Sequence, residues 1–260
     1  MKIGTYNVLG LTGYPKEEAA AAIGPPGEEK NGEHFVRVFS ELECDILGLQ
    51  EGVTVRAIQY IAKTMNRYVA TFPSPINWPG HVLSRYPILE SRVFSHTDPR
   101  QQTPPFSRTS GAALLAINDT AKLWYVNLHL HPSDVDLRVQ EADIIKDRLQ
   151  ALQAITESII VVGDFNSEVD EPVHQHIKAL KFANAMETVG GGIQVTMDTT
   201  GKRTHSIDHI YVSASLIPHL KSATVVRNPG FRHDGPQEKG VWVHSDHLPV
   251  VAQLDWPISS

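Results

Sequence analysis

Five short apolar runs in the chain end in, or are interrupted by, groups that burial alone would not select. Ile46-Leu47-Gly48-Leu49 leads into Gln50-Glu51, and Ile159-Ile160-Val161-Val162 leads into Gly163-Asp164-Phe165-Asn166. His129 lies in Val126-Asn127-Leu128-His129-Leu130-His131, and Asp208 in Ser206-Ile207-Asp208-His209-Ile210. His244-Ser245-Asp246-His247 precedes Leu248-Pro249-Val250-Val251. Strand ends suit such groups, because a rigid scaffold holds the side chains while the loops beyond stay free to vary. Carboxylates at these places suit a hard divalent cation, Mg²⁺ or Mn²⁺, with Glu51 and Asp246 as candidate ligands. Asp164 is placed to orient or deprotonate a water, and Asn166 to fix that water or donate to a phosphate oxygen. A histidine paired with an aspartate is held in one tautomer and favoured as an imidazolium, which stabilises negative charge on phosphorus. The chemistry these parts describe is metal-assisted phosphoester hydrolysis.

Each group also has an ordinary reading. Glu51 fits a solvated strand end, Gly163-Asp164 a turn whose Asp caps a helix, and Asp246 a turn before a strand. His129 and His131 fall on one face of a strand and fit hydrogen-bonded core histidines. Five such coincidences in one chain favour chemistry over accident. A zinc hydrolase is the first rival, on His129/His131, His205/His209 and His244/His247, yet the order His129-Leu130-His131-Pro132-Ser133-Asp134 departs from HxHxDH. No G-x-S-x-G elbow supports a serine hydrolase, and Gly201-Lys202-Arg203 lacks the upstream glycine of a P-loop. A catalytically inactive binding module on the same scaffold is the non-enzymatic alternative. Decay would remove a carboxylate or histidine, whereas Glu51, Asp164, Asp208, Asp246 and His247 all stand.

The elements that must carry these groups read as strands over Lys2–Leu9, Asp45–Gln50, Gly80–Ser84, Ile88–Phe94, Ala112–Ile117, Leu123–Leu130, Ser158–Val162, Ser206–Val212 and Leu248–Leu254. Helical period is clearest over Ser133–Ala154, where Val135, Val139, Ala142, Ile145, Leu149 and Leu152 step by three or four and leave Asp, Glu, Arg and Gln for the other face. Ser133 is the expected N-cap. Shorter helices are predicted over Glu33–Leu42, Val55–Met65 and Val173–Leu180, and loops over Gly13–Asn31, Asp98–Thr109 and Arg227–Gly240. Strands and helices mix without a compositional break, so residues 1–260 read as one α/β domain.

Composition narrows the classes further. The 260 residues are 41% hydrophobic and 20% charged, which excludes disordered, collagen-like and coiled-coil chains. A single cysteine, Cys44, excludes an internal disulfide framework and a multi-cysteine zinc module. With 23 Lys plus Arg against 29 Asp plus Glu, the net charge is −6, which argues against broad charge-driven nucleic-acid binding. The first residues lack the apolar run of a signal peptide, and no stretch has the length of a membrane helix, so a cytoplasmic monomer without membrane insertion is expected.

At these residues the chain resembles the endonuclease/exonuclease/phosphatase superfamily, whose members include DNase I-like nucleases, apurinic endonucleases, neutral sphingomyelinases, inositol-phosphate phosphatases and deadenylases. The likeness runs in family order from Thr5-Tyr6-Asn7-Val8-Leu9 through Leu49-Gln50-Glu51, Leu83-Ser84-Arg85-Tyr86-Pro87-Ile88, Asn127-Leu128-His129, Gly163-Asp164-Phe165-Asn166 and Ile207-Asp208-His209-Ile210 to Ser245-Asp246-His247-Leu248-Pro249-Val250. It implies a four-layer α/β sandwich, two packed mixed sheets flanked by helices, with the site at one edge. It further implies that Glu51 binds the metal with Asp246 and Asn7 close by, Asn7 contacting substrate. Asp164 would activate water and Asn166 position it, while His129 and the Asp208-paired His247 would contact the scissile phosphate. Arg108 resembles a phosphate-contacting arginine of the deoxyribonuclease branch. Either Asp164 or the Asp208–His247 pair is the water's base on this reading.

Leu9 stands where apurinic endonucleases carry an acid, and Asn7-Val8-Leu9-Gly10 is closer to the sphingomyelinase and deadenylase wording. The Gly13–Asn31 segment is a candidate lid or substrate-selecting loop. The substrate is a phosphoester, either DNA or RNA or a small phosphodiester or sugar phosphate. For nucleic acid, Arg85, Arg92, Arg100, Arg108, Lys202, Arg203, Arg227 and Arg232 would have to form a groove, with Trp78 as a stacking platform.

Overall fold

A computed structural model describes residues 1–95, 106–197, 204–236 and 238–257. Its elements run β1 (Lys2–Asn7), α1 (Lys16–Ile23), α2 (Glu29–Glu41), β2 (Ile46–Gln50), α3 (Val55–Thr64), β3 (Tyr68–Phe72), β4 (Gly80–Ser84), β5 (Ile88–Val93), β6 (Thr109–Ala116) and β7 (Lys122–His129). They continue with α4 (Val135–Gln153), β8 (Ile159–Asp164), α5 (Pro172–Ala179), β9 (Ala183–Asn184), α6 (Ala185–Val189), β10 (Asp208–Val212), β11 (Leu220–Val225) and β12 (Val250–Leu254). The strands form two six-stranded mixed sheets, ordered β11-β12-β1-β2-β4-β3 and β5-β6-β7-β8-β10-β9. Parallel pairs β1/β2 and β7/β8 lie at their centres.

The continuous apolar run of β8 shows why the sheets stack. Its side chains alternate between faces, so Ile160 and Val162 join the core that holds Tyr6, Leu49, Phe35 and Ile58. Ile159 and Val161 instead join Ile145, Leu149 and Ile177 of α4 and α5. A strand covered on both faces must be apolar throughout, and a helix–sheet–sheet–helix sandwich follows. Gly48 lets the sheets meet, since a Cβ there would stand 2.7 Å from Val162.

Polar bonds fix the register between the sheets. Tyr125 OH donates to the Gly4 carbonyl at 2.7 Å. Gln50 Nε2 donates to Asn127 Oδ1 at 2.6 Å, and Asn127 Nδ2 donates to the carbonyls of Leu49 at 2.8 Å and His81 at 3.0 Å. Both amides are fully buried, where an unmet polar group costs roughly 1–3 kcal/mol; Gln50 also bonds Thr5 within its own sheet, whereas Asn127 finds these partners only when the two sheets are docked.

Several expectations need correction. Gly13–Asn31 is not a loop: it contains α1 and the start of α2, tied down by backbone bonds in both directions between Tyr14 and Val243. The N-cap of α4 is Asp134, whose side chain accepts from Leu137 N at 3.0 Å, and Ser133 lies outside it. On α4, Val135 is exposed while Arg138 and Glu141 are buried. Glu141 accepts from Ser107 N and Oγ and from His131 N, and Arg138 makes a two-pronged pair with Glu171. His131 lies beyond the end of β7 and so does not share a strand face with His129. Strands β3, β9 and β11, all at or next to sheet edges, have no counterpart in the sequence reading. Residues 98–105 of the predicted Asp98–Thr109 loop, with Arg100, lie outside the described residues. Among the described residues no helix is long and apolar enough to cross a membrane.

Candidate active site

Three neighbouring strands of the second sheet bring their polar residues to one level. Asp164 at the end of β8 is in register with His129 at the end of β7 and with Asp208 at the start of β10. The Gly163 before it has φ 152°, and a Cβ there would lie 2.0 Å from the Leu128 carbonyl, so only glycine lets β8 end this close to β7. Asp164 therefore closes a strand, and the reading of Gly163-Asp164 as a helix-capping turn fails. Its Oδ1 accepts from Asn166 N at 2.9 Å, which folds the chain back over the sheet edge.

The first sheet supplies Asn7 at the end of β1 and Glu51 just after β2. Asn7 Nδ2 donates to Asp164 Oδ2 at 2.9 Å, a bond across the two sheets. Its Oδ1 accepts from Leu9 N at 3.1 Å, so the buried amide faces protein on both sides. Glu51 and Asn166 both adopt φ 48°, a left-handed conformation that non-glycine residues rarely hold. Such conformations persist where surrounding structure over-determines them, commonly at functional sites.

The segment before β12 completes the edge. Ser245 Oγ donates to the Asn7 carbonyl at 2.7 Å, fixing Asp246 and His247 against β1. His247 Nδ1 and Asp208 Oδ2 are 2.8 Å apart, and His247 Nε2 is 3.8 Å from Asp164 Oδ2. His129 Nε2 lies 3.7 Å from Asp164 Oδ2 and 3.9 Å from Glu51 Oε1. A cavity of about 530 Å³ opens over them, lined by Glu51, Arg108, His129, Asp164, Asn166, Asp246 and His247, with Trp78, Glu168, Glu171, Met197 and His205 around its sides. Asn7 and Asp208 are not on the lining. They stand behind Asp164 and His247, so Asn7 meets an aspartate where the sequence reading had it meet substrate.

The electrostatics separate the two histidines. Burial opposes charge on His247, but Asp208 and then Asp164 and Asp246 outweigh it and hold the imidazole well above its ordinary value of 6.5. Burial lowers His129 to about 4, only partly opposed by Asp164, so its ring is neutral near pH 7. Asp164 is raised, first by burial and then by Asp208, against the pull of His247. Glu51 is raised to about 7 by burial and by the carboxylates of Asp164 and Asp246. Its Oε2 is buried without a hydrogen-bond partner.

An orphaned carboxylate oxygen crowded by two other acids fits a divalent cation. Asp164, Asp208 and His247 also bring donor atoms within 4.8 Å of one another. In that group His247 shares its Nδ1 with Asp208 at 2.8 Å, which leaves its Nε2 facing Asp164. Glu51 and Asp246 lie on the wall of the same cavity.

The other groups singled out in the sequence disperse. His205 lies 3.7 Å from Glu168, His209 contacts Ser167 and Asn184, and His244 pairs with His34 at 3.3 Å, so the histidine pairs do not converge as a zinc site would require. Arg85 pairs with Asp45, Arg92 with Glu90, Arg232 with Asp234, and Arg227 bonds Gln194 and the Val195 carbonyl. Lys202 and Arg203, like Arg100, lie outside the described residues. Of the described arginines in the proposed basic groove, only Arg108 lines the cavity, its guanidinium 6.0 Å from the Trp78 ring centroid.

Residues to which the sequence gives no role in this site support it from behind. Gln50, Asn127 and Ser245 are described above. A further set packs under the Asp164–Asn166 turn: His174 Nε2 is 2.9 Å from Ser167 Oγ, His174 Nδ1 is 2.8 Å from Tyr211 OH, and His209 Nε2 is 3.3 Å from the Ser167 carbonyl. The available signal was a polar residue inside an otherwise apolar strand, as at Asn127 and His209.

The sequence matches the model of the Endonuclease/Exonuclease/phosphatase family over residues 4–247. No curated protein matches it. Among solved structures, a mannosyl-6-phosphatase from Bacteroides thetaiotaomicron superposes with TM-score 0.73 at 17% identity, over 98% of this chain and 99% of that one. The 3′ phosphatase NExo from Neisseria, bound to a product DNA hairpin, gives TM-score 0.69 at 17% identity over 98% and 100%. Truncated TDP2 from Caenorhabditis elegans gives 0.68 at 18% over 96% of each chain. At these identities the likeness is one of fold.

Proposed function

The chain belongs to the endonuclease/exonuclease/phosphatase family, and from that premise we propose that it is a divalent-metal-dependent hydrolase of phosphoester bonds, phosphodiesters foremost, acting through an activated water. The observation that carries this reading is the meeting of Glu51, His129, Asp164, Asp246 and His247, drawn from both sheets, on one cavity. Glu51 with Asp246 would hold Mg²⁺ or Mn²⁺, which when bound supplies positive charge to a phosphoryl oxygen. Asp164 is the water's base. Its carboxyl is raised above the ordinary carboxylate value, chiefly by burial, which strengthens it as a proton acceptor, and Asn7 holds it in place. His247 is the weaker candidate for that role because it already carries its proton.

Asn166 donates through Nδ2 to the Leu130 carbonyl at 3.0 Å, leaving its Oδ1 to accept from the attacking water. As the water oxygen bonds to phosphorus and its proton passes to Asp164, the bond from phosphorus to the alcohol oxygen breaks and the alcohol leaves with a proton from solvent, while the imidazolium of His247, a neutral N–H of His129 and the Arg108 guanidinium receive the growing charge on the phosphoryl oxygens. Relatives named as a mannosyl-6-phosphatase and as a 3′ phosphatase bound to a DNA hairpin support both small phosphates and nucleic acid as substrate classes.

Hydrolysis of bis-p-nitrophenyl phosphate and p-nitrophenyl phosphate with added Mg²⁺, with and without EDTA, tests the proposal beside Glu51→Ala. Activity is expected to vanish in EDTA and in the variant. Full activity in either condition sinks the metal role.

A further inference from the structure

Beside the catalytic cavity lies a second groove of about 630 Å³, and Trp78 lines both. Its walls come from the turn after β1, the N-terminal end of α3, the β3–β4 connection and Pro26 of the α1–α2 connection. Among the described residues no Lys, Arg, Asp, Glu or His lines it. Instead it offers Thr12, Thr54 and Asn77 beside the apolar surfaces of Val55, Ile76 and Trp78. The last three are 51%, 46% and 41% exposed, far more than side chains of their size show in a core. The β3–β4 connection is held rigidly for such exposure. Thr109 Oγ1 donates to the Trp78 carbonyl at 3.2 Å, and Gly52 N to the Pro79 carbonyl at 2.8 Å.

We propose that this groove receives the alcohol part of the substrate, and that this part is the uncharged, hydroxyl-bearing ring of a sugar. The inference rests on the phosphoesterase reading above and narrows its substrate class. A polynucleotide carries a phosphate at every step, and proteins that hold one meet those phosphates with Lys and Arg. This wall offers none among the described residues, and Arg85, Arg92, Arg227 and Arg232 are held by partners of their own. Thr12 Oγ1 already donates to the Leu9 carbonyl and Thr54 Oγ1 accepts from Ala57 N, but an acyl chain would cover the Val, Ile and Trp surfaces while leaving the Asn77 amide and the remaining Thr hydroxyl capacity unused in a desolvated groove. A sugar ring satisfies both, with its C–H face on the indole and its hydroxyls toward Thr12, Thr54 and Asn77. Trp78 is common to both walls, so a ring resting on it lies beside the cavity that would hold the phosphate.

The test compares glucose 6-phosphate, p-nitrophenyl phosphate, a short 3′-phosphorylated single-stranded DNA and dihexanoyl phosphatidic acid as substrates with Mg²⁺. It also measures binding of the same ligands by calorimetry in EDTA. We expect kcat/KM for the sugar phosphate to exceed that for the DNA and the lipid by about tenfold or more. Trp78→Ala and Ile76→Lys are each expected to raise KM for glucose 6-phosphate by about tenfold, to weaken its binding in EDTA to the same degree, and to change kcat less than KM. The exposed Ile76 can be replaced without opening the core. Hydrolysis of p-nitrophenyl phosphate with equal or better use of DNA or lipid overturns the sugar assignment and leaves the phosphoesterase reading intact. Glucose 6-phosphate binding that both variants weaken, without hydrolysis of any ester, upholds the groove and overturns the phosphoesterase reading. Binding unchanged in both variants overturns the groove.

Discussion

Replacing Glu51 with glutamine is expected to make the metal-free protein more stable while abolishing its activity. The carboxylate is buried, one of its oxygens has no partner, and Asp164 and Asp246 repel it, so its pKa stands near 7 against an ordinary 4.5. A folded-state value above the unfolded one means that ionised Glu51 costs stability. The penalty is full above about pH 7, shrinks as pH falls toward 4.5, and is gone where both states are protonated. The difference of about 2.5 units corresponds to roughly 3 kcal/mol, or some 6–10 °C in Tm for a chain of this size. Thermal unfolding in EDTA followed by circular dichroism should therefore show Glu51→Gln above wild type by this order at pH 8. The gap should close by about pH 5. Saturating Mg²⁺ should raise wild type toward the variant at pH 8 and leave the variant unmoved. A variant less stable than wild type at pH 8 in EDTA would refute the argument, because it would mean that the attraction of His247 and the Asn7 hydrogen bond outweigh burial and the repulsion of Asp164 and Asp246.

Asp164→Asn and His247→Ala are each expected to lower kcat by about a hundredfold or more, the scale of acid–base and charge-stabilisation losses; near wild-type turnover would remove their assigned roles. Asp208→Asn takes away the principal anion that keeps His247 charged. In wild type that charge persists well above pH 6.5 and is lost only as pH rises through the raised value, so the variant should bring the alkaline fall of the pH–rate profile to lower pH. An unshifted profile would show that His247 charge is not needed. Asn127→Leu removes one bond to the Gln50 amide and two to the carbonyls of Leu49 and His81 in the core, which should cost roughly 1–3 kcal/mol in urea unfolding. The double replacement of Asn127 and Gln50 by Leu should cost less than the sum of the single changes, a coupling that additive losses would disprove.

The central strands were readable because they are covered on both faces and must be continuously apolar, as in Ile159–Val162. Edge strands such as β3 and β11 carry mixed residues with one face open, so their pattern does not stand out from loops. The α1 segment was misread for a related reason: Gly24, Pro25, Pro26 and Gly27 mark a turn, but the Ala-rich stretch before them forms its own helix. Periodicity records only polarity and so places Arg138 and Glu141 on the water-facing side of α4. Their partners Glu171, Ser107 and His131 come from elsewhere in the chain and give no local signal. The candidate site was more legible than its supports, since Glu51, Asp164, Asp208 and His247 interrupt apolar runs. Asn7 shows the limit: its place in the chain was plain, but that its amide points at Asp164 depends on how the two sheets dock.

That docking has a kinetic meaning. The bond from Asn7 to Asp164 joins residues 157 positions apart, and the bond from Ser245 to Asn7 spans 238. Loop closures of this length are entropically expensive and come late in folding, after local helices and neighbouring strands have formed. No half of the chain can assemble the cavity alone, because each sheet carries only part of it. Recovery of catalysis during refolding should thus lag behind recovery of secondary structure, and the enzyme's turnover becomes a direct clock for the final meeting of its two layers.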